Sequence, residues 1–184
     1  MGQGRLLDVI VYTKDKGTIE GQIVTEKYGQ EWVISDNVSS ISVIVNDEVT
    51  KIDKSKIKSI ELDENSIYEV LYGNTTAAYD HDMHNDFHVG QYLTKGNFEV
   101  FKVFTATTTS DQYGGSQGSF ARPKYFWIRN GKFKQLKKPD FMESLRKIAI
   151  TNADLAEFLE ENDKKIRKDE QFEKILKFYA ELEL

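Results

Sequence analysis

The chain has 184 residues, of which 39% are hydrophobic and 30% charged, a composition typical of globular rather than disordered proteins. Its net charge of −5 argues against a general binder of nucleic acids or anionic membranes. The absence of cysteine excludes disulfides, zinc sites with thiolate ligands and cysteine nucleophiles. No apolar run approaches the roughly 20 residues of a membrane-spanning helix, so we expect no transmembrane segment.

Short apolar runs alternate with turn residues over the first 66 residues. Ile41, Val43 and Val45 occupy every second position, as in a strand with one buried face, and Asn46-Asp47 then marks a turn. Similar runs occur near residues 9–11, 19–23, 32–34, 49–52 and 60–62. This close spacing predicts a small antiparallel β-barrel of the SH3 or Sm type over residues 1–66, with an open meander as the alternative.

A second domain is predicted over residues 67–184, beginning with an antiparallel sheet that extends to about residue 136. Its strongest strand pattern lies at residues 98–104, which are apolar on both faces, as in a central strand. Two polar stretches, residues 74–88 and 105–119, are predicted to be loops. The Gly, Ser and Thr content of the second stretch favours disorder.

Residues 124–136 predict a β-hairpin that ends the sheet. Asn130-Gly131 is the dipeptide that best tolerates the positive φ angles of a type I′ turn. With these two residues as the turn, Arg129 pairs with Lys132, and Trp127 pairs with Lys134. Cross-strand partners share a face. We therefore expect one face, directed toward a core, to carry Phe126, Ile128 and Phe133, and the other to carry Tyr125, Trp127, Lys134 and Leu136.

After Pro139 the apolar pattern changes to the helical period and predicts about three helices packed on this sheet. Pro139 suits a first helical turn, either Thr151 or Asn152 is expected to cap the second helix, and Asp169 is expected to cap the third. The predicted fold class is therefore α+β, with a small SH3/Sm-like antiparallel β-barrel, a second antiparallel sheet and C-terminal helices.

All three histidines lie within residues 79–88. In a helix, His81, His84 and His88 would share one face and could bind a metal cofactor, Zn, Ni or Cu. However, Asp and Asn are poor helix formers, and the spacing matches no catalytic metal motif. A polar surface loop with incidental histidines is therefore the preferred interpretation, and a metal-binding protein is an alternative function.

Residues 122–138 contain seven basic residues and no acidic one, interleaved with aromatic side chains. Such a strip could bind single-stranded nucleic acid or a polyanionic glycan, which gives polyanion binding as a second alternative. The competing interpretation is a solubilised hairpin whose charge offsets the acidic helices that follow. The candidate binding residues are Arg122, Lys124, Trp127, Lys132 and Lys134.

The motifs of common enzyme classes are missing from the sequence. There is no Gly-x-Ser-x-Gly elbow, and the glycines at residues 114–118 lack the lysine of a phosphate-binding loop. No pair of carboxylates stands out as a general acid and base. The sequence therefore favours a protein that is not an enzyme.

Three stretches carry a resemblance to a known family. Residues 8–23 contain Thr18-Ile-Glu-Gly, residues 52–60 read Ile-Asp-Lys-Ser-Lys-Ile-Lys-Ser-Ile, and the hairpin of residues 124–141 leads into a helical tail that ends in Lys177-Phe-Tyr-x-x-Leu. These features resemble an uncharacterised family of secreted or periplasmic proteins from Bacteroides-type bacteria. The resemblance implies an extracytoplasmic address and no known activity, so it assigns no catalytic residue.

We therefore predict a non-enzymatic binding or structural module of the bacterial cell envelope. It would be periplasmic or secreted if an N-terminal signal has been removed, and cytoplasmic otherwise. The expected partner is a protein or a glycan, contacted through exposed aromatic side chains such as Trp127 or Tyr113. No specific nucleic acid is expected.

Overall fold

The structure, a computed structural model, describes residues 4–36, 39–62, 66–75, 84–96, 98–110, 116–129, 132–162 and 168–182. Eleven strands lie in this part of the chain: β1 (Arg5–Thr13), β2 (Thr18–Tyr28), β3 (Glu31–Val33), β4 (Ser40–Val45), β5 (Glu48–Asp53), β6 (Ile57–Glu61), β7 (Ile67–Thr75), β8 (His84–Thr94), β9 (Glu99–Ser110), β10 (Ser116–Arg129) and β11 (Lys132–Leu136). A 3₁₀ turn, Lys54–Lys56, precedes β6, and three helices follow the strands: α1 (Lys138–Ala149), α2 (Ala153–Asn162) and α3 (Asp169–Glu181).

The chain divides into two compact units. Unit 1 comprises Met1–Gln91 and Lys102–Lys124, and unit 2 comprises Tyr92–Phe101 and Tyr125–Leu184. None of the helices in the described ranges is both long and apolar enough to cross a membrane.

The α+β class is confirmed, but the predicted barrel is wrong. The strands pair in the order β11-β10-β9-β8-β7-β6-β1-β2-β4-β5, and β3 pairs with β2. Closure of a barrel over residues 1–66 would need β6 to pair with β5. Instead, β6 pairs with β1 along one edge and with β7 along the other, so neither edge is left for closure. The predicted separate second sheet is also wrong, because β7 to β11 belong to the same open sheet as β1 to β6.

Branched aliphatic side chains on alternate positions form the core of unit 1. The side chains of Val11, Val43, Ile57 and Ile60 are fully buried in it. The predicted turn after β4 is confirmed: Asn46 and Asp47 have φ values of 51° and 64°, which suits a two-residue hairpin connection.

Helices α1, α2 and α3 bury their apolar faces in the core of unit 2. This core contains Leu145 from α1, Leu155 from α2 and Phe172, Ile175 and Leu176 from α3, all fully buried. Strand residues Val100, Tyr125 and Leu136 belong to the same cluster, so the helices pack on the face of the hairpin that carries Tyr125 and Leu136.

The hairpin register predicted from the sequence is confirmed. Arg129 pairs with Lys132, Ile128 with Phe133 and Trp127 with Lys134. On the face away from the helices, Phe126 and Phe133 stack with ring centroids 4.5 Å apart. Both faces of the hairpin are therefore apolar, and both take part in packing.

Strands occupy much of the two stretches that were predicted to be loops. Strand β7 extends to Thr75 and β8 begins at His84, while β9 extends to Ser110 and β10 begins at Ser116. Polar β-branched threonines fit a strand as well as a loop, and this explains the error at residues 105–110. Tyr113 lies outside the described residues.

Asn152 caps α2, as expected, because its Oδ1 accepts a hydrogen bond of 2.9 Å from the backbone N–H of Leu155. Asp169, by contrast, lies in the first turn of α3, and the N-cap position is Lys168. Pro139 lies in the first turn of α1, as predicted.

We expect Asn152→Ala to lower the free energy of unfolding by about 1 kcal/mol, since it leaves an N-terminal N–H of α2 without its cap. Urea unfolding followed by circular dichroism measures the loss. Asn152→Asp is the matched control, because it keeps the acceptor oxygen and should unfold close to the wild type. Equal losses in both variants would contradict the capping role.

Candidate functional site

A groove on unit 2 is the candidate binding site. Its volume is about 460 Å³, within the range of ligand-binding clefts. The β10–β11 hairpin forms one wall, and α1 and the end of α3 form the other. Its lining includes Phe98, Trp127, Lys134, Lys137, Asp140, Phe141, Ser144 and Tyr179.

Four half-buried aromatic rings form the apolar part of this groove. Phe98 lies at the centre: it stacks on Phe141 with centroids 5.6 Å apart and meets Tyr179 edge to face at 5.0 Å. The ring of Trp127 is tilted against Phe98 at 6.4 Å. Such offset and edge-to-face contacts fix the rings in place, so the groove presents a preformed apolar surface.

Polar groups converge on the rim of the groove. Lys134 places its Nζ 5.7 Å from the centroid of the Trp127 ring, within the range of a cation–π contact. Lys137, Asp140 and Ser144 lie along the start of α1, where the Ser144 hydroxyl donates to the carbonyl of Asp140 at 3.0 Å. Two lysines against one carboxylate give this rim a positive balance.

Four separate parts of the chain supply the rings. Phe98 precedes β9, Trp127 lies in β10, Phe141 lies in the first turn of α1, and Tyr179 lies near the end of α3. The confirmed register places Trp127 directly opposite Lys134, so the hairpin delivers both side chains to the face on which the helices pack.

No family model, curated protein or solved structure matches the chain. The family resemblance therefore stays a prediction.

The structure brings together two of the five residues predicted from the basic strip. Trp127 and Lys134 line the groove of unit 2. Arg122 and Lys124 lie in the part of β10 that belongs to unit 1, and both are exposed. Lys132 is the first residue of β11, and its side chain is not among those described. Sequence reasoning missed Phe98, Phe141 and Tyr179 as site residues, since each also reads as an ordinary core position.

The structure describes the three predicted metal ligands to different extents. His81 lies outside the described residues, and only the backbone of His84 is described, at the start of β8. His88 lies in the same strand, so the helical arrangement is wrong for residues 84–88. No group of three or more potential metal-ligating side chains occurs within the described ranges. Metal binding by the full set stays a prediction.

His88 belongs to a buried polar cluster in unit 1, with Asp36 and Lys54. Its Nδ1 lies 2.8 Å from Oδ2 of Asp36, and the other carboxylate oxygen pairs with Nζ of Lys54. The backbone N–H of Val89 also donates to Asp36, at 3.2 Å. The side chains of Asp36 and Lys54 are each only 4% exposed. The cluster thus joins the segment after β3, the 3₁₀ turn and β8.

The pKa of Asp36 reflects this environment. Burial alone raises the pKa of a carboxyl group, but the hydrogen bond with His88 and the charge of Lys54 outweigh burial, so the pKa of Asp36 lies below its ordinary value. Asp36 therefore stays ionised at neutral pH and holds the cluster together. Nothing in the sequence pattern marks these residues, because charged groups near turns usually read as solvent-exposed.

A second groove, of about 640 Å³, lies on unit 1 between β1, β2 and the turn after β4. Its lining includes four carboxylates, Asp8, Glu20, Asp47 and Glu61, and no lysine or arginine. It is more open than the groove of unit 2 and contains no aromatic ring. Ligand sites typically combine apolar walls with a few convergent polar groups. The groove of unit 2 has this combination, so it is the better candidate.

Proposed function

We propose that this protein is a non-enzymatic binding module that holds an apolar group of its partner in the groove of unit 2. The observation that carries the proposal is the set of four half-buried rings, Phe98 and the three rings around it, fixed by their mutual contacts. Aromatic side chains that keep an accessible surface in a preformed cleft give large contact area at little cost in conformational entropy.

The polar residues on the rim of the groove can fix the orientation of a bound partner. Lys134 and Lys137 offer positive charge, and Asp140 offers a carboxylate. Partners with an apolar group next to an anionic group fit this arrangement best. The resemblance given above adds the expectation that the module works in the bacterial envelope, and cell fractionation tests that address.

The fluorescent dye 8-anilinonaphthalene-1-sulfonate, which has apolar rings next to an anionic sulfonate, tests the groove. We expect saturable binding of about one dye per chain to the folded wild type, because the naphthalene ring fits the apolar walls and the sulfonate lies near the lysines. Ser144→Trp fills the groove and should weaken binding by about tenfold or more, which corresponds to about 1.4 kcal/mol. Dye fluorescence titration is the measurement.

Glu143→Trp is the matched control, since Glu143 is the neighbouring residue on α1, is exposed and does not line the groove. Near-ultraviolet circular dichroism must show that both variants keep native packing, because partly folded states also bind this dye. Equal dye affinity of the Ser144→Trp and Glu143→Trp variants would refute the groove as the binding site.

A further inference from the structure

The strands of unit 1 bury one face and expose the other. Val9 of β1 and Ile23 of β2 belong to the core, whereas Asp8 and Ile10 occupy alternate positions and therefore belong to the opposite face, called the outer face below. Contiguous exposed apolar side chains mark interaction sites, unlike apolar side chains that are scattered singly. Of the six large apolar side chains exposed in the described part of the chain, the pairing register places four on the outer face: Leu6, Val24, Val49 and Ile67.

An apolar strip crosses β1, β2, β4 and β5 on the outer face. Leu6 lies opposite Val24, and Ile44 lies opposite Val49. Gln22 pairs with Ile44, and Val24 is two residues beyond Gln22, so Val24 and Ile44 are diagonal neighbours. Ile44 is half-buried, whereas Leu6, Val24 and Val49 are 46%, 58% and 64% exposed. The strip is therefore both contiguous and open.

A row of carboxylates lies beside this strip. Ile10 of β1 has Glu20 of β2 on one side and Glu61 of β6 on the other, and Asp8 is the next outer-face residue along β1. These three carboxylates, together with Asp47, line the groove of about 640 Å³ on unit 1, whose lining contains no lysine or arginine. Apolar and acidic residues are therefore separated into two neighbouring zones of one face.

The carboxylates of this row take part in none of the ion pairs formed among the described residues. Asp8 accepts a hydrogen bond of 2.9 Å from the amide of Gln22, and Glu61 accepts one of 3.0 Å from the hydroxyl of Tyr12, both uncharged donors. The register also places Lys51 on the outer face, but Lys51 lies in β5 and does not line the groove. The row thus keeps a negative charge that a basic partner complements.

The open face of a sheet suits a helix better than an extended segment. Backbone N–H and C=O groups of β1 pair with β2 and β6 in the plane of the sheet, so a segment that lies on the face finds no backbone partner there. A helix satisfies these groups internally, and helices commonly cover the apolar faces of sheets. With a diameter of about 10 Å, a helix covers about two strands. One helix can therefore contact the strip and reach the row.

We propose that the outer face of unit 1 binds an amphipathic helix of a partner protein. The apolar side of this helix packs on the strip, and lysine or arginine residues along one flank pair with Asp8, Glu20 and Glu61. Two copies of the chain docked through their outer faces would bring the two rows of carboxylates together, which is unfavourable. This surface belongs to unit 1, so the inference does not rest on the function proposed for the groove of unit 2.

The probe is an acetylated and amidated peptide made of two copies of Lys-Leu-Ala-Lys-Leu-Leu-Ala, measured by calorimetry against the full chain. In a helix its leucines form one face and its lysines lie along one flank of that face. We expect saturable binding of about one peptide per chain, which weakens as salt is added because salt screens the charges. The same peptide with glutamate in place of lysine should not bind. Proline in place of the alanine that joins the two copies should weaken binding by about tenfold or more.

Glu20→Lys tests the row of carboxylates, because it reverses one charge at an exposed position. We expect it to weaken peptide binding by about tenfold or more. Glu31→Lys is the matched control, since it changes the net charge equally at an exposed residue of β3, which pairs with the other end of β2. This control should bind the peptide as the wild type does.

The double variant Leu6→Thr and Val24→Thr tests the apolar strip. Threonine suits a strand, and both positions are exposed, so the variant should fold. We expect it to bind the peptide about tenfold more weakly or worse, because it removes apolar contact. Ile150→Thr is the control, since Ile150 is 82% exposed and lies in unit 2. It should leave the affinity unchanged.

Each contrary outcome overturns a definite part of the inference. Equal affinity of the Glu20→Lys and Glu31→Lys variants, or full affinity of the threonine double variant, overturns the outer face as the site. Equal binding of the proline-containing peptide overturns the helix. No binding of the lysine peptide by a wild type that still binds the dye overturns the basic partner and leaves the groove of unit 2 in place.

Two further outcomes would place the interaction elsewhere. If Ser144→Trp weakens peptide binding as much as Glu20→Lys does, the peptide lies in the groove of unit 2, and the outer face is overturned as its site. A concentration-dependent dimer that Glu20→Lys abolishes would show a second copy on the outer face and overturn the helical partner.

Discussion

Asp36→Asn is expected to lower the free energy of unfolding of unit 1 by about 3–5 kcal/mol, the usual cost of breaking a buried ion pair by removing one partner. The reason is the ammonium group of Lys54. Its side chain is only 4% exposed, and Asp36 is its one ion-pair partner among the described residues. Asparagine keeps the shape of the side chain but leaves this charge uncompensated.

The effect should depend on pH in a definite direction. The pKa of Asp36 is lower in the folded state than its ordinary value, so the ionised carboxylate stabilises the fold. This contribution is fully present above the unfolded pKa, about 3.9, and is lost as the pH falls through the lower folded pKa. The difference in stability between the wild type and Asp36→Asn should therefore shrink in acid.

The unfolding of unit 1 can be measured separately, because Trp32 lies in unit 1 and Trp127 lies in unit 2. In a Trp127→Phe background, urea unfolding monitored by fluorescence reports on Trp32. Adding Lys54→Met to Asp36→Asn removes the unpaired charge and should recover much of the lost stability. Additive losses in this double-mutant cycle would contradict coupling between Asp36 and Lys54.

Phe172→Ala is expected to lower the free energy of unfolding of unit 2 by a similar amount, about 3–5 kcal/mol, because it leaves a cavity in a closely packed core. Phe172 is fully buried, and its ring meets Tyr125 at 5.3 Å and Phe141 at 6.0 Å. Phe141 also lines the groove, so the variant should weaken dye binding as well.

The measurement uses the Trp32→Phe background, in which Trp127 reports on unit 2. Phe172→Leu fills more of the space and should cost clearly less, because the cost of a truncation grows with the cavity that it leaves. A loss below about 1 kcal/mol for Phe172→Ala would mean that the core collapses around the gap or that the helices pack differently.

The local features of the fold could be predicted from the sequence, because period, turn residues and caps act over a few residues. The hairpin register around Asn130-Gly131 follows from turn chemistry alone, and the cap at Asn152 follows from residue type. The closed barrel was wrong for a non-local reason. Whether β6 pairs with β5 or with β7 depends on the second edge of β6, and alternation within each strand is the same in both cases.

The candidate site was predictable only in part, for the same physical reason. Trp127 and Lys134 are cross-strand neighbours in one hairpin, so a sequence pattern links them. Phe98, Phe141 and Tyr179 come from distant segments that meet only through helix packing. The cluster of Asp36, Lys54 and His88 likewise joins three segments whose proximity no periodicity reveals.

The lysines of the edge strand β11 also tie the behaviour of the protein to ionic strength. Dissolved salt screens charges over about 10 Å at 0.1 M and about 3 Å at 1 M. Screening would weaken the repulsion between the lysines of β11 on two copies of the chain. A concentrated salt solution should therefore favour self-association through this strand, so crystals grown from such a solution could pair β11 edges that stay apart in dilute buffer.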